Sequence, residues 1–260
     1  MIIAQISDSH IALDTADAER RLADFERTIA DINALDPQPD VILHTGDVVH
    51  NGRRDEYAEA VRILAKARAP VYVIPGNKDD RDNLRRAFLP HGYLAPDAEM
   101  IDYAIEHLPV RLIAVDTKHA TSNKGDFCAR REKRLIELME ADTSRPIAVF
   151  THHPPFDVPV GPDPINFEPP ETMERLRQVL LRCPRLIAVF SGHVHRDTAG
   201  FVDSIPATVV PCIATTLRRG DYPAHMKSRP VYHVHRFDPR RNFSTEARAV
   251  GTERVAALDL

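Results

Sequence analysis

No run in this sequence is long and apolar enough to cross a membrane as a helix, so no membrane partner is expected. Cysteine is scarce. Cys128, Cys183 and Cys212 form an odd, unpatterned set, which excludes a disulfide framework and reads as reduced thiols in a cytoplasmic protein. Positive charge is not in excess, with 34 Lys and Arg against 38 Asp and Glu and a formal net charge of −4. No bulk attraction to nucleic acid polymers or anionic lipid follows, and no Arg/Lys-rich strip with interleaved aromatics is present. The chain does not open on a basic region followed by an apolar stretch, and Asp8 and His10 already close its first strand, so no cleaved leader is expected. Internal repeats and low-complexity tracts are missing as well. What is there is 260 residues, 43% of them apolar, enough for one large domain or two small ones. Histidine, with 13 copies, is plentiful.

The stretch that organises the rest is Ile6-Ser7-Asp8-Ser9-His10. It follows Ile2-Ile3-Ala4, so a buried strand ends where an Asp and a His two residues apart begin. Open α/β sheets place their chemistry just past the carboxyl ends of strands. Asp8-Ser9-His10 is also ordinary turn sequence when taken alone. The same event recurs at four later strand ends.

Residues 15–35 carry Ala18, Leu22, Phe25, Ile29, Ile32 and Leu35 at helical spacing, with Asp14 and Thr15 as caps and Pro37 as the stop. Val41-Ile42-Leu43 reads as a second strand, ended by Gly46-Asp47. Tyr57, Val61 and Leu64 mark a helix. Val71–Ile74 is a third strand, ended by Gly76-Asn77-Lys78-Asp79. This alternation predicts a parallel sheet with right-handed crossovers. Met100–Glu106 and Val110–Val115 are spaced as a hairpin. A helix over 129–141 precedes the strand Ile147–Phe150, ended by His152-His153-Pro154. Seven prolines between 154 and 170 predict a long, stiff surface loop. A helix with Met173, Leu176, Val179 and Leu180 leads to the strand Leu186–Phe190, ended by Gly192-His193-Val194-His195. Val231–Phe237 alternates apolar and polar and predicts a half-exposed strand. The expected organisation is one domain over 1–238, with 154–170 as an active-site or interface loop, and a charged tail over 239–260.

Five strand ends thus present Asp8 and His10, Asp47, Asn77, His152, and His193 with His195 at one rim of a parallel-type sheet. Each alone is a turn former or a surface histidine. Together they form a set of imidazole nitrogens and carboxylate or amide oxygens without thiolate. That mixture suits Mn, Fe, Co or Zn and argues against a structural zinc knot or an all-oxygen calcium site. Seven ligands are too many for one ion and suit two. His153 follows a ligand position directly and is expected to point away from the site.

These blocks, in this order, resemble the signature motifs of the calcineurin-like metallophosphoesterases over residues 1 to about 237. Gly46-Asp47-Val48-Val49-His50-Asn51-Gly52 through Glu56-Tyr57, Ile74-Pro75-Gly76-Asn77 and Asp163-Pro164-Ile165 resemble the bacterial glycerophosphodiesterase and class III cyclic-nucleotide phosphodiesterase branch. The resemblance implies an α/β fold, a four-layer αββα sandwich of two mixed sheets with a di-metal site at the C-terminal rim of the strands. It implies one ion held by Asp8, His10, Asp47 and His195, and another by Asp47, Asn77, His152 and His193, with Asp47 bridging. The implied activity is hydrolysis of a small organophosphate diester by a metal-bound hydroxide, in a homo-oligomer of two or more chains. Asn77 and Lys78 are the candidate catalytic pair. Relatives usually carry His where this chain has Lys78, and that His serves the leaving group. Lysine, with a reference pKa of about 10.4, holds phosphate as a point charge but is a poor proton donor near neutrality. His50, His119 and His153 are the candidate replacements. The alternatives are a phosphomonoesterase, phosphonate esterase or nuclease on the same scaffold, or a non-catalytic interaction module.

Overall fold

The computed structural model describes residues 1–159 and 166–251. Asp163-Pro164-Ile165 and the last nine residues lie outside the described residues. In chain order the elements are β1 (Ile2–Ile6), α1 (Ala18–Asn33), β2 (Val41–His44), α2 (Arg54–Leu64), β3 (Val71–Val73), α3 (Arg81–Phe88), β4 (Tyr103–Ile105), β5 (Arg111–Val115) and α4 (Ala129–Glu140). There follow β6 (Ile147–Thr151), α5 (Glu171–Leu181), β7 (Leu186–Ser191), β8 (Thr198–Val202), β9 (Ile205–Val209), β10 (Val231–Asp238) and β11 (Asn242–Ala249).

The strands form two mixed sheets, ordered β11-β10-β1-β2-β3 and β4-β5-β6-β7-β9-β8. In the first sheet β1, β2 and β3 are parallel and β10 and β11 antiparallel additions. In the second, β5, β6, β7 and β9 are parallel, with β4 and β8 antiparallel at the edges.

Period-2 alternation sorts the second sheet's side chains. Leu112, Ala114, Ala148, Phe150, Ala188 and Phe190 join the core shared with the first sheet, which also takes Phe25, Ile63 and Leu84 from α1, α2 and α3. Ile113, Val115, Ile147, Val149 and Val189 face the other way, onto Leu135, Leu138, Leu176 and Val179 of α4 and α5. The result is the αββα sandwich.

A polar tie crosses between the sheets just below the strand ends. The Gln5 amide donates to Thr45 Oγ1 and Ser191 O, both at 3.0 Å, and its Oε1 accepts from His235 Nε2 at 2.9 Å. Thr45 precedes Asp47 by two residues and Ser191 precedes His193 by two, so the tie sits under the ligand loops of both sheets.

Several sequence expectations are corrected. The five ligand-bearing strand ends belong to two sheets: β1, β2 and β3 in one, β6 and β7 in the other. β10 is buried over Val231–His235, because β1 and β11 flank it and both of its buried imidazoles find hydrogen-bond partners. His235 bonds Gln5 and Thr245, and His233 bonds Asp197. The stretch read as a tail supplies β11, paired with β10 from Asn242 to Ala249. The first helix begins at Ala18, and Asp17 caps it without a side-chain bond of its own. Asp17 instead accepts from Arg21 and Thr216. α3 and the β8–β9 hairpin carried too little periodicity to be foreseen. α3 buries only Leu84, Arg85 and Phe88, and β8 alternates half-buried with exposed residues.

Candidate metal centre

Each predicted ligand sits just past the carboxyl end of its strand. Five of the seven, Asp8, His10, Asp47, His193 and His195, have φ between 45° and 74°. Left-handed backbone is disfavoured for residues with a Cβ and collects at functional sites where the surroundings enforce it. Here the two loops after β1 and β2 are laced together, Asp8 N to Gly46 O and His10 N to Asp47 O, both at 3.0 Å. Two glycines permit the close approach. A Cβ at Gly76 would collide with Asp47 Oδ1, and one at Gly192 with Ser7 Oγ.

The donor atoms converge in two groups. Asp8, His10, Asp47 and His195 form one, all within 4.8 Å of one another. In it His10 Nε2 and His195 Nε2 are 3.0 Å apart, and Asp8 Oδ1 is 3.2 Å from His195 Nε2. In the other, Asn77 Oδ1 lies 3.1 Å from His152 Nε2 and 3.0 Å from His193 Nδ1. Asp47 belongs to both: Oδ2 is 3.5 Å from His10 Nε2 and Oδ1 is 3.6 Å from His152 Nε2. All seven predicted residues are therefore brought together.

Their protonation suits cation binding. His152 Nδ1 donates to Thr45 O and His195 Nδ1 to Leu217 O, which turns each Nε2 toward the site. Burial, then neighbouring His152, pushes His193 well below the usual imidazole range, so it is neutral. Burial alone would raise Asp8, but the neighbouring His195 and His10 imidazoles hold its carboxyl well below the usual range. Asp8 Oδ1 is buried without a hydrogen-bond partner. A buried orphan carboxylate oxygen beside bare imidazole nitrogens is what a divalent cation would satisfy. Cys212 is not a donor here; its Sγ donates to Asp8 O at 2.9 Å.

His153 also lies close to His152 and His193. Its nitrogens are already engaged: Nδ1 accepts from Thr117 Oγ1 at 2.9 Å and Nε2 donates to Asn123 O at 3.2 Å. It packs against His193 and offers no lone pair.

The donors open on a cavity of about 260 Å³, also lined by Lys78, Asn123, Asn166 and Arg219. Lys78 is at the site as expected, and its Nζ donates to Asn123 Oδ1 at 3.3 Å. Asn123 was not foreseen, and its Oδ1 also accepts from Asn77 Nδ2 at 3.3 Å. The signal for it was its place in the loop after β5, another strand ending at this rim. Asp79, inside a recognised motif but without an assigned role, clamps the loops. Its carboxylate accepts from Val48 N, Val49 N, Gly76 N and Tyr57 Oη. Burial and the charge of Asp47 push it up to about 7 against those bonds. Of the three replacement donors, His50 abuts the cluster, with Nδ1 3.5 Å from His10 Nδ1. His119 Nδ1 accepts from the amides of Thr121 and Ser122.

Fold and donor set together define a metal-dependent phosphoesterase, a hydrolase. Residues 1–197 match the family described as calcineurin-like phosphoesterase, and the chain belongs to that family. It is 30% identical to a glycerophosphodiester phosphodiesterase of Enterobacter lignolyticus, over 89% of this chain and 83% of that one. It is 30% identical to a probable cyclic nucleotide phosphodiesterase of Rhodopseudomonas palustris, over 68% and 65%. A crystal structure of a dimetal phosphatase from Danio rerio superposes with a TM-score of 0.71 at 14% identity, covering 99% of this chain and 98% of that one, which speaks for the fold.

Proposed function

We propose that this chain is a two-metal phosphodiesterase acting on small phosphodiesters, of the glycerophosphodiester or cyclic-nucleotide class. One ion would sit among Asp8, His10, Asp47 and His195 and the other among Asp47, Asn77, His152 and His193. Mn, Fe, Zn and Co all suit such a mixed nitrogen and oxygen set. The observation that carries the reading is that the two donor groups share Asp47 and open on one cavity walled by Lys78 and Asn123. When bound, two divalent ions supply a water of lowered pKa and neutralise the phosphoryl oxygens during in-line attack.

The chain's own residues do the rest. Asn77 turns its Oδ1 toward His152 and His193 because its amide nitrogen is held by Asn123. Lys78 stands at the cavity wall as a fixed positive charge for a phosphoryl oxygen. A small cavity favours a small ester over a polymer strand. With lysine in the usual histidine position, esters with good leaving groups are favoured, and His50 is the candidate donor for poorer ones.

Two finer points belong to this reading. A cytoplasmic location is supported by three free cysteines, and among the described residues no helix is long and apolar enough to cross a membrane. A homo-oligomer remains part of this reading, to be checked by the mass of the protein in solution.

The deciding experiment is a hydrolysis panel on the metal-loaded protein. It spans aryl monoesters, aryl diesters, cyclic nucleotides, glycerophosphodiesters and phosphonate esters. Diesters should be hydrolysed in preference. Preference for monoesters, or no turnover with both ions bound, overturns the reading.

A further inference from the structure

Arg219 lines the metal cavity but belongs to none of the recognised motifs. Its place is fixed by the backbone: its N–H donates to His195 O at 2.8 Å, and His195 Nδ1 donates to Leu217 O at 3.0 Å. The neighbouring Arg218 fastens the same turn. Its guanidinium lies 4.0 Å over the Tyr222 ring and donates to Arg229 O at 2.5 Å and Met226 O at 2.7 Å. Thr215, on the other side, donates from N and Oγ1 to Asp24 Oδ2. Arg219 is thus carried on a fastened turn, tied to a residue of one donor group. Lys78 adjoins Asn77, which belongs to the other.

Arg219 is an exposed residue and forms no ion pair among the described residues. Exposure alone means little, since an exposed arginine is well solvated. Its position is the argument. A phosphodiester carries one negative charge, and Lys78 is already placed for it. A second cation at the same cavity, planar and able to bind in a bidentate manner, matches a second anion.

Resting on the phosphodiesterase reading, we infer that Arg219 selects substrates bearing a second anionic group, carboxylate or phosphate, on one alcohol arm of the diester. Two symmetric substrates test this regardless of which arm leaves: bis(4-carboxyphenyl) phosphate and bis(4-carbamoylphenyl) phosphate. A third, bis(4-phosphonophenyl) phosphate, separates carboxylate from phosphate-type anions. The readout is the ratio of kcat/KM for acid over amide, compared between proteins so that leaving-group differences cancel. Arg219→Gln should cut the better anion's ratio about tenfold or more, and Arg219→Lys should retain part of it. Lys78→Met should slow all three substrates together and keep the ratio within about twofold. Arg219→Gln ratios within about twofold of the parent for both anions overturn the inference, as does an equal fall in the ratio for Lys78→Met. Absence of hydrolysis of all three diesters by the metal-loaded parent instead overturns the phosphodiesterase reading beneath it.

Discussion

An asparagine ligand has two ends, and Asn123 sets which end of Asn77 faces the site. Its Oδ1 accepts from Asn77 Nδ2 and Lys78 Nζ, both at 3.3 Å, so Asn77 Oδ1 is left for His152 and His193. Groups that orient ligands in this way are worth about 10–100-fold in metal affinity. Asn123→Ala should weaken loading of the ion beside Asn77 by that amount, read by metal titration, with loading of the other ion unchanged. An unchanged titration would remove Asn123 from the site. His235 tests the buried tie beneath. Burial, then neighbouring His233, pushes its imidazole well below 6.5. A depressed folded-state pKa means that the unfolded chain takes up the proton first as pH falls. Its contribution is therefore level above the unfolded value of about 6.5 and is lost as pH drops below it, by about 1.4 kcal/mol per pH unit. His235→Gln should make that acid slope shallower by about this amount in urea titrations between about pH 6.5 and 5. An unaltered slope would mean that His235 does not stay neutral in the folded chain. The ligands themselves were legible because Asp, His and Asn at strand ends are conspicuous in sequence. Asn123, Asp79 and Arg219 were not, because their roles arise from contacts across loops distant in the chain.

Elements that read well in sequence are those buried on one face at a regular period: α1, α4, α5 and the strands β1, β2, β6 and β7. Elements that read poorly take their stability from pairing. β11 is held by its ladder to β10, and its alternating burial became meaningful only once that neighbour was in place. The proline-rich loop is an intermediate case. Its proline content predicted a stiff excursion, but its anchors were not legible. Phe156 and Val158 on the outgoing limb and Phe167 on the returning limb are buried in the core beneath α4 and α5. Gly125 N donates to Asn166 O, and Glu168 N to Gly125 O, both at 2.8 Å, which stitches the return limb to the loop that bears Asn123. Asn166 thereby reaches the cavity wall. Phe167 is fully buried, so Phe167→Ala should cost about 3–5 kcal/mol in denaturant unfolding. It should also shift relative kcat/KM across a diester panel, because the limb carrying Asn166 loses its anchor. A stability loss with an unchanged substrate profile would make the loop a packing element only.

At the scale of the molecule, the arrangement of donors couples metal binding to the joining of the two sheets. The loops after β1, β2 and β3 bring Asp8, His10, Asp47 and Asn77, and those after β6 and β7 bring His152, His193 and His195. Each proposed ion would draw on both sheets, since His195 joins the Asp8, His10 and Asp47 group while His152 and His193 face Asn77. Without ions, the rim gathers carboxylates and imidazoles whose lone pairs converge, and the Gln5 tie beneath must hold that geometry. A ligand that binds only the folded chain stabilises it by about 2.7 kcal/mol per site at a hundredfold excess over Kd. Chelation should therefore lower Tm, and adding back a divalent metal should restore it. Asp47→Ala separates this from unspecific salt effects. Asp47 is the one donor shared by both groups, so that variant should lose at least one ion by elemental analysis, lose hydrolysis, and show a smaller Tm response to chelator than the parent. A parent Tm indifferent to chelator would mean that the sheets are set without the ions. An Asp47→Ala protein that keeps two ions and turnover would refute the shared-ligand arrangement.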